Sequence, residues 1–374
     1  MFVARQTSLR RWTPSRPAAA FSSIYMPGHK TFLKTVSYAP PTWASALANP
    51  PTERVVLGNF PTPIFPFRPP GLPDGVQMFI KRDDYSGLEM SGNKARKLEF
   101  LLAEALRQGA DCVVTCGGVQ SNHCRATAVA ARMMGLDSYL LLRTSDTETD
   151  PGLVGNLLID RSSFPSSSYI LITCISLVGA ELILVPRREY AKQGGGDYFI
   201  AKTVEKLRKQ GRKPYGIPVG GSNGLGTWGY LESIEEMEHQ IELPITDIAF
   251  ACGSGGSAAG IGVGAYLYAQ AHQDSSLQFT RSELPPGLGY AKNTKDELAY
   301  ISLVARTTGV LLDPVYSGKA LYMLVKDLQD APHKFTGKSI LFVHTGGQFG
   351  LFDKVAELND DVVASNHVSV FHEN

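Results

Sequence analysis

Short apolar runs with strand character alternate with helix-patterned stretches along most of this 374-residue chain. The strand-like runs are 78–81, 112–115, 138–142, 182–185, 215–219, 246–251, 310–313 and 339–344. Between them, apolar residues recur at helical spacing over 95–107, 124–134, 199–210, 227–240, 257–269, 294–307 and 318–328. Such alternation predicts an α/β fold, a parallel sheet with helices on both faces. A hydrophobic content of 43% can bury a large core, which fits two domains or one large domain with an insertion. There is no short-period repeat and no heptad run.

The net charge of +1 gives no overall field that would favour nucleic acid or a membrane surface. No run approaches the roughly 18 apolar residues of a membrane-spanning helix. The cysteines, Cys112, Cys116, Cys124, Cys174 and Cys252, lack zinc spacing and read as small buried residues of a reducing compartment. No metal site is expected. Residues 1–52 contain no Asp or Glu but carry Arg5, Arg10, Arg11, Arg16, Lys30 and Lys34 among Ser, Thr and Ala. That composition marks organelle targeting. Residues 1–30 are read as a mitochondrial presequence lying outside the fold; a basic tail without targeting function and a chloroplast signal are the alternatives.

One stretch carries the chemistry. Ser91-Gly92-Asn93-Lys94-Ala95-Arg96-Lys97-Leu98-Glu99 follows the strand-like Met78–Asp84 region, and helical periodicity begins at Leu98. Lys94 therefore sits where a loop becomes a helix. Outward-pointing N–H groups favour anions there, and the partial positive charge pushes an amine toward its neutral form. A neutral amine can form a Schiff base with an aldehyde, as a lysine bound to pyridoxal phosphate does. A solvated Lys/Arg cluster would give the same local pattern.

Three loops accompany it. Cys116-Gly117-Gly118-Val119-Gln120-Ser121-Asn122-His123-Cys124-Arg125 joins a strand to an Ala-rich helix and can cradle a carboxylate. Cys252-Gly253-Ser254-Gly255-Gly256-Ser257 opens a Gly/Ala-rich helix, where glycines allow close approach to a phosphate. Leu312-Asp313-Pro314-Val315-Tyr316-Ser317-Gly318-Lys319 ends another strand-like run. Each would also serve as a plain tight turn.

Together these stretches, with PVGGSN, GYAKNT and HTGG, resemble the fold-type II pyridoxal-phosphate enzymes. The match is to the family of 1-aminocyclopropane-1-carboxylate (ACC) deaminases and D-cysteine desulfhydrases, and it runs from about Tyr38 to Val355. Pro69-Pro70-Gly71-Leu72-Pro73-Asp74-Gly75 extends it toward the plant mitochondrial members. The resemblance implies a tryptophan synthase β-like architecture of two open twisted parallel-sheet domains. A small domain, 95–222, would interrupt a large cofactor-binding domain of 31–94 and 223–374. It also implies a homodimer.

The resemblance assigns roles. Lys94 would carry the cofactor as a Schiff base and then serve as base for the substrate Cα proton, with Asn93 beside it. Lys97 and Gly253, Ser254, Gly255, Gly256 and Ser257 would hold the phosphate. Asn122 would face the ring hydroxyl oxygen. Ser121, Asn122 and His123 would hold the substrate carboxylate, with Ser121 also a proton-transfer group. Tyr316 would pack on the ring and Tyr290 near the substrate. ACC deaminases carry Glu at the position of Ser317, where a carboxylate keeps the pyridine nitrogen protonated, and Leu at that of Thr345. Both differences favour β-elimination of D-cysteine, a small amino-acid substrate, to pyruvate, hydrogen sulfide and ammonia.

Two departures from the family pattern stand out. Ser162–Ser176, SSFPSSSYILITCIS, intervenes where relatives run straight from a helix into Leu177. It reads as a retained intron, an isoform insertion or a surface loop. Between about Ala269 and Leu288 a strand and a helix of the family pattern are missing. That loss raises the alternative of a catalytically impaired isoform.

Overall fold

The computed structural model describes residues 33–87, 89, 92–148, 155–160, 178–241, 245–272 and 289–358. The proposed presequence, the 162–176 insertion and most of the 269–288 junction lie outside the described residues.

The chain opens with an antiparallel ribbon of β1 (Thr35–Ser37) and β2 (Glu53–Val55). Then follow β3 (Ile64–Pro66), β4 (Gln77–Arg82), α1 (Lys94–Arg107), β5 (Cys112–Gly118), α2 (Asn122–Met133) and β6 (Asp137–Thr144). Next come α3 (Asn156–Asp160), β7 (Glu181–Pro186), α4 (Arg187–Lys192), α5 (Gly196–Lys209), β8 (Pro214–Gly216) and α6 (Gly224–Gln240). The described chain closes with β9 (Asp247–Phe250), α7 (Gly256–His272), α8 (Lys295–Thr308), α9 (Ser317–Asp330) and β10 (Ser339–His344).

The other strands build two four-stranded sheets. One runs β7-β6-β5-β8 and is parallel throughout. The other runs β3-β4-β10-β9, parallel except for the edge strand β3. Their central strands are apolar on both faces because helices cover both sides. Val113, Val114, Leu140, Leu142, Ile340, Leu341, Phe342 and Val343 are all buried. Helix ends follow local chemistry. Thr294 and Glu297 form a reciprocal capping box on α8, and Gly309, with φ +73°, stops that helix.

The predicted strand at 310–313 does not form. Val310 and Leu312 do bury their side chains. The segment pairs with no described strand, and the Leu311 carbonyl is met by the His344 Nε2 ring nitrogen at 2.9 Å. The run 215–219 is likewise shorter as a strand, ending at Gly216 and passing into a tight turn around Gly220, φ +70°.

A buried ionic cluster fastens α1 to its neighbours. The Arg96 guanidinium donates to Asp83 at 2.7 Å and to Glu236 at 2.8 Å, and Lys81 pairs with Glu236 at 3.0 Å. The attraction of Arg96 holds the Asp83 carboxyl below its ordinary value despite burial. A Cβ on Gly229 of α6 would stand 2.2 Å from the Arg96 carbonyl oxygen, so the α1–α6 contact requires a glycine there.

Candidate active site

Lys94 is the first residue of α1, the loop-to-helix position that the sequence predicts. Its backbone is anchored to the C-terminal end of β10. Asn93 N–H donates to the Thr345 carbonyl at 3.1 Å, and Gly92 bridges Gly346. A Cβ on Gly92 would lie 2.2 Å from the Thr345 oxygen, and its φ of +117° is itself a glycine conformation. The Lys94 amine forms no hydrogen bond or ion pair among the described residues. Burial pushes it down to about 8. Desolvation is therefore the cause of the shift, where the sequence argument placed it on the helix terminus.

Lys97, one turn on, donates only to the Gly220 carbonyl, at 3.2 Å. Burial and the neighbouring Lys94 charge hold it well below its ordinary value. Facing it is the Gly253–Ser257 loop at the start of α7. A Cβ on Gly256 would come 2.7 Å from Lys97 Nζ and 2.4 Å from Ser222 Oγ. Ser254 Oγ meets Ser222 Oγ at 2.7 Å, and Ser257 Oγ accepts from Asn93 Nδ2 at 3.0 Å.

On the other sheet, β5 ends at Gly117-Gly118 and the chain turns into α2. Ser121 caps that helix, its Oγ accepting the Cys124 N–H at 3.2 Å. Gly117 leaves room for this cap, since a Cβ there would sit 2.4 Å from Ser121 Oγ. The Asn122 side-chain oxygen accepts from Asn156 Nδ2 at 3.0 Å. His123 Nε2 meets Thr115 Oγ1 at 2.9 Å. Thr115 already donates its one proton to the Ile217 carbonyl, so Nε2 is the protonated nitrogen. Desolvation keeps the ring neutral.

These elements enclose a cavity of about 300 Å³. Of the residues singled out in the sequence, Asn93, Lys94, Ser121, Asn122, His123, Gly253, Ser254, Gly255, Ser257, Tyr290 and Tyr316 line it. Tyr290 and Tyr316 meet edge to face at 6.1 Å, and burial raises both phenols, Tyr316 to about 12. Lys97, Gly256 and Ser317 do not reach the cavity wall. Ser317 is fully buried behind Thr345, accepting the Thr345 N–H at 3.2 Å and meeting its hydroxyl at 3.1 Å. Thr345 is the residue that fronts the cavity.

Sequence reasoning missed Asn156, Arg143 and Tyr190. Asn156 holds Asn122 while also accepting from Arg125 at 2.7 Å and bonding Gln120. Its only sequence signal is the Gly155-Asn156 turn. Arg143 and Tyr190 line the cavity from β6 and α4.

The buried Lys97 amine, without a carboxylate partner and facing a glycine loop at a helix start, suits a phosphate dianion. An unpaired lysine beside that cradle suits an aldehyde. The residues present thus fit pyridoxal phosphate.

Comparison with known proteins agrees. The family described as pyridoxal-phosphate dependent enzyme matches residues 55–279. The chain belongs to that family, and the family's cofactor is pyridoxal phosphate. Among curated relatives, the mitochondrial bifunctional D-cysteine desulfhydrase/1-aminocyclopropane-1-carboxylate deaminase of Arabidopsis thaliana is 44% identical, covering 95% of this chain and 93% of the relative. A D-cysteine desulfhydrase of Klebsiella pneumoniae is 34% identical over 80% of this chain and 95% of its own length. A crystal structure of an ACC deaminase homologue superposes with a TM-score of 0.67 at 31% identity, covering 86% of this chain and 99% of that one. The Arabidopsis alignment spans 388 positions, more than the 374 residues of the chain, so that relative has residues with no counterpart here. Among the described residues, no helix is long and apolar enough to cross a membrane.

Proposed function

We propose that this chain is a pyridoxal-phosphate-dependent lyase converting D-cysteine and water to pyruvate, hydrogen sulfide and ammonia. The observation that carries the reading is the unpaired Lys94 amine, lowered to about 8, sharing one cavity with the Ser121–His123 turn and the Gly253–Ser257 loop. The desulfhydrase names of the two curated relatives support the substrate.

Within this reading Lys94 holds the cofactor and then takes the substrate Cα proton. An amine near 8 with no competing partner suits both tasks at neutral pH. Lys97, lying just behind the wall, supplies positive charge to the phosphate. Gly253 to Ser257 supply N–H groups and hydroxyls. Asn122, oriented by Asn156, takes the ring oxygen. Ser121 and the main-chain N–H groups opening α2 take the substrate carboxylate; His123 contributes through its backbone, because its ring is neutral. Tyr316 backs the ring and Tyr290 borders the substrate. Pyridoxal phosphate, when bound, supplies the electron sink for charge at the substrate α-carbon. Thr345, backed by Ser317, offers hydroxyls and no carboxylate at its edge, which suits a step in which negative charge departs with sulfur.

The domain division into 31–94 with 223–374 and an intervening 95–222 is part of the proposal; the two separate sheets support it. So are a homodimer and a mitochondrial matrix location after removal of residues 1–30. The mitochondrial name of the Arabidopsis relative supports the location.

Incubating the purified chain with D-cysteine while trapping sulfide and measuring pyruvate tests the reading. Equimolar sulfide and pyruvate, abolished in Lys94→Ala, are expected; a pyridoxal-phosphate-loaded protein that releases neither refutes it. The bifunctional name of the Arabidopsis relative favours ACC deamination as a second reading. Replacing Ser317 by Glu and Thr345 by Leu together should shift turnover from D-cysteine toward ACC. An unchanged ratio would remove the argument from the hydroxyl pair.

A further inference from the structure

Arg143 has no place in the chemistry above, yet it stands at the mouth of the site. It lies near the end of β6, in register with Gly118 of β5. Its guanidinium carbon sits 4.9 Å from the Tyr190 ring centre and 5.7 Å from that of Tyr290. Its Nε is buried without a hydrogen-bond partner. The side chain has no ion pair among the described residues.

A second, more open space of about 490 Å³ adjoins the first. Arg143, Tyr190 and Tyr290 line both and so form the throat between them. The outer space adds Arg187 and Lys292, and no Asp or Glu is among its described lining residues. Gly118 keeps the throat open, because a Cβ there would strike the Tyr290 ring at 2.6 Å. The result is a passage with a cation at its narrowest point, held between two aromatic faces, and more cations outside. A guanidinium in that setting has unused donors directed by a fixed plane, which suits a carboxylate or another planar anion.

We propose that Arg143 is a specificity-determining residue for the sulfur side of the substrate. By this proposal the protein acts on D-cysteine derivatives whose sulfur carries an anionic tail, such as S-carboxymethyl-D-cysteine. The inference rests on the β-elimination reading. The Cβ–S bond breaks with its electron pair leaving on sulfur, and sulfur takes a proton. The substrate and one water give pyruvate, ammonium and mercaptoacetate, with no oxidant or reductant involved. The amino-acid end occupies the inner cavity, the tail passes the throat, and Arg187 and Lys292 line the exit of the anionic thiol.

The test compares kcat/KM for S-carboxymethyl-D-cysteine with that for its neutral isostere, S-carbamoylmethyl-D-cysteine. D-Cysteine serves as reference, and mercaptoacetate binding to the loaded protein is followed by calorimetry in parallel. In the native protein the anionic substrate should be favoured about tenfold or more, the effect of one charged contact, and the preference should shrink with added salt. Arg143→Gln should bring the ratio to near one and weaken mercaptoacetate binding, while Arg143→Lys should restore part of both. A ratio near one in native protein that turns over D-cysteine overturns the inference and leaves the desulfhydrase reading intact. Arg143-dependent mercaptoacetate binding without turnover of any D-amino acid overturns that reading and keeps the anion site. Neither turnover nor binding overturns both.

Discussion

Arg96 and Lys97 are adjacent on α1 and almost equally buried, at 2% and 1% exposure, but their surroundings are opposite. Arg96 is met by Asp83, Glu236 and the Thr62 hydroxyl. Lys97 has one carbonyl, and Lys94 a turn earlier has no partner among the described residues. A buried charge is tolerated when a counter-charge is built in, as on the face of α1 toward β4 and α6. On the face toward the cavity the fold leaves the counter-charge out, so an anion from solution completes the site. The paired cation positions α1; of the unpaired ones, Lys94 lines the cavity and Lys97 lies just behind its wall.

The sharpest break of this comparison is Lys94→Ala. Loss of the base and of the covalent anchor should lower D-cysteine turnover by ~10³-fold or more, with visible absorbance of the bound cofactor lost and far-ultraviolet circular dichroism unchanged. A turnover loss under tenfold would place the chemistry elsewhere. On the paired side, Arg96→Met takes the guanidinium partner from Asp83 and leaves Glu236 with Lys81 alone. Urea unfolding should show a loss of about 3–5 kcal/mol, the cost of breaking a buried pair. A loss below about 1 kcal/mol would mean that the cluster is open to water.

Lys97→Met sharpens the contrast through opposite signs. Removing an unpaired buried amine should raise the stability of the cofactor-free protein by about 1 kcal/mol, while phosphate affinity falls. Thermal unfolding with and without pyridoxal phosphate reads both effects, and a destabilised cofactor-free variant would contradict the account.

The smallest effect is in pH. Lys94 releases its proton near 8 in the folded protein and near 10.5 when unfolded. The folded state binds fewer protons between those values, so this group opposes folding at neutral pH and ceases to as pH rises from about 8 to 10.5. Cofactor-free protein should therefore gain stability across that window relative to Lys94→Met. Cofactor capture should also quicken with a midpoint near 8.

The sequence carried the helices and the loops of the site because both rest on local patterns. Lys94 precedes a clear apolar stripe, and the Gly253–Ser257 and Ser121–His123 turns are strand-to-helix joints marked by small residues. The segment 310–313 has strand composition, but pairing depends on a neighbour that composition does not disclose. Ser317 and Thr345 were both singled out by their sequence positions, yet which of them faces the cavity depended on a hydrogen bond spanning 28 residues. Arg143 ends an ordinary buried strand run, and only the register against β5 brings it to the throat. Asn156 sits in a five-residue helix with no apolar rhythm to announce it.

The bridge between Gly92 and Gly346 also bears on how the protein is made. The loop that aims Lys94 is fixed by β10, the last strand of the described chain, and β10 is also the strand that joins β4 to β9. A ribosome has therefore released more than 250 residues beyond Lys94 before its amine can take its final position. Until then the nascent chain lacks an assembled cradle, so commitment to the cofactor waits for β10 rather than following the synthesis of α1.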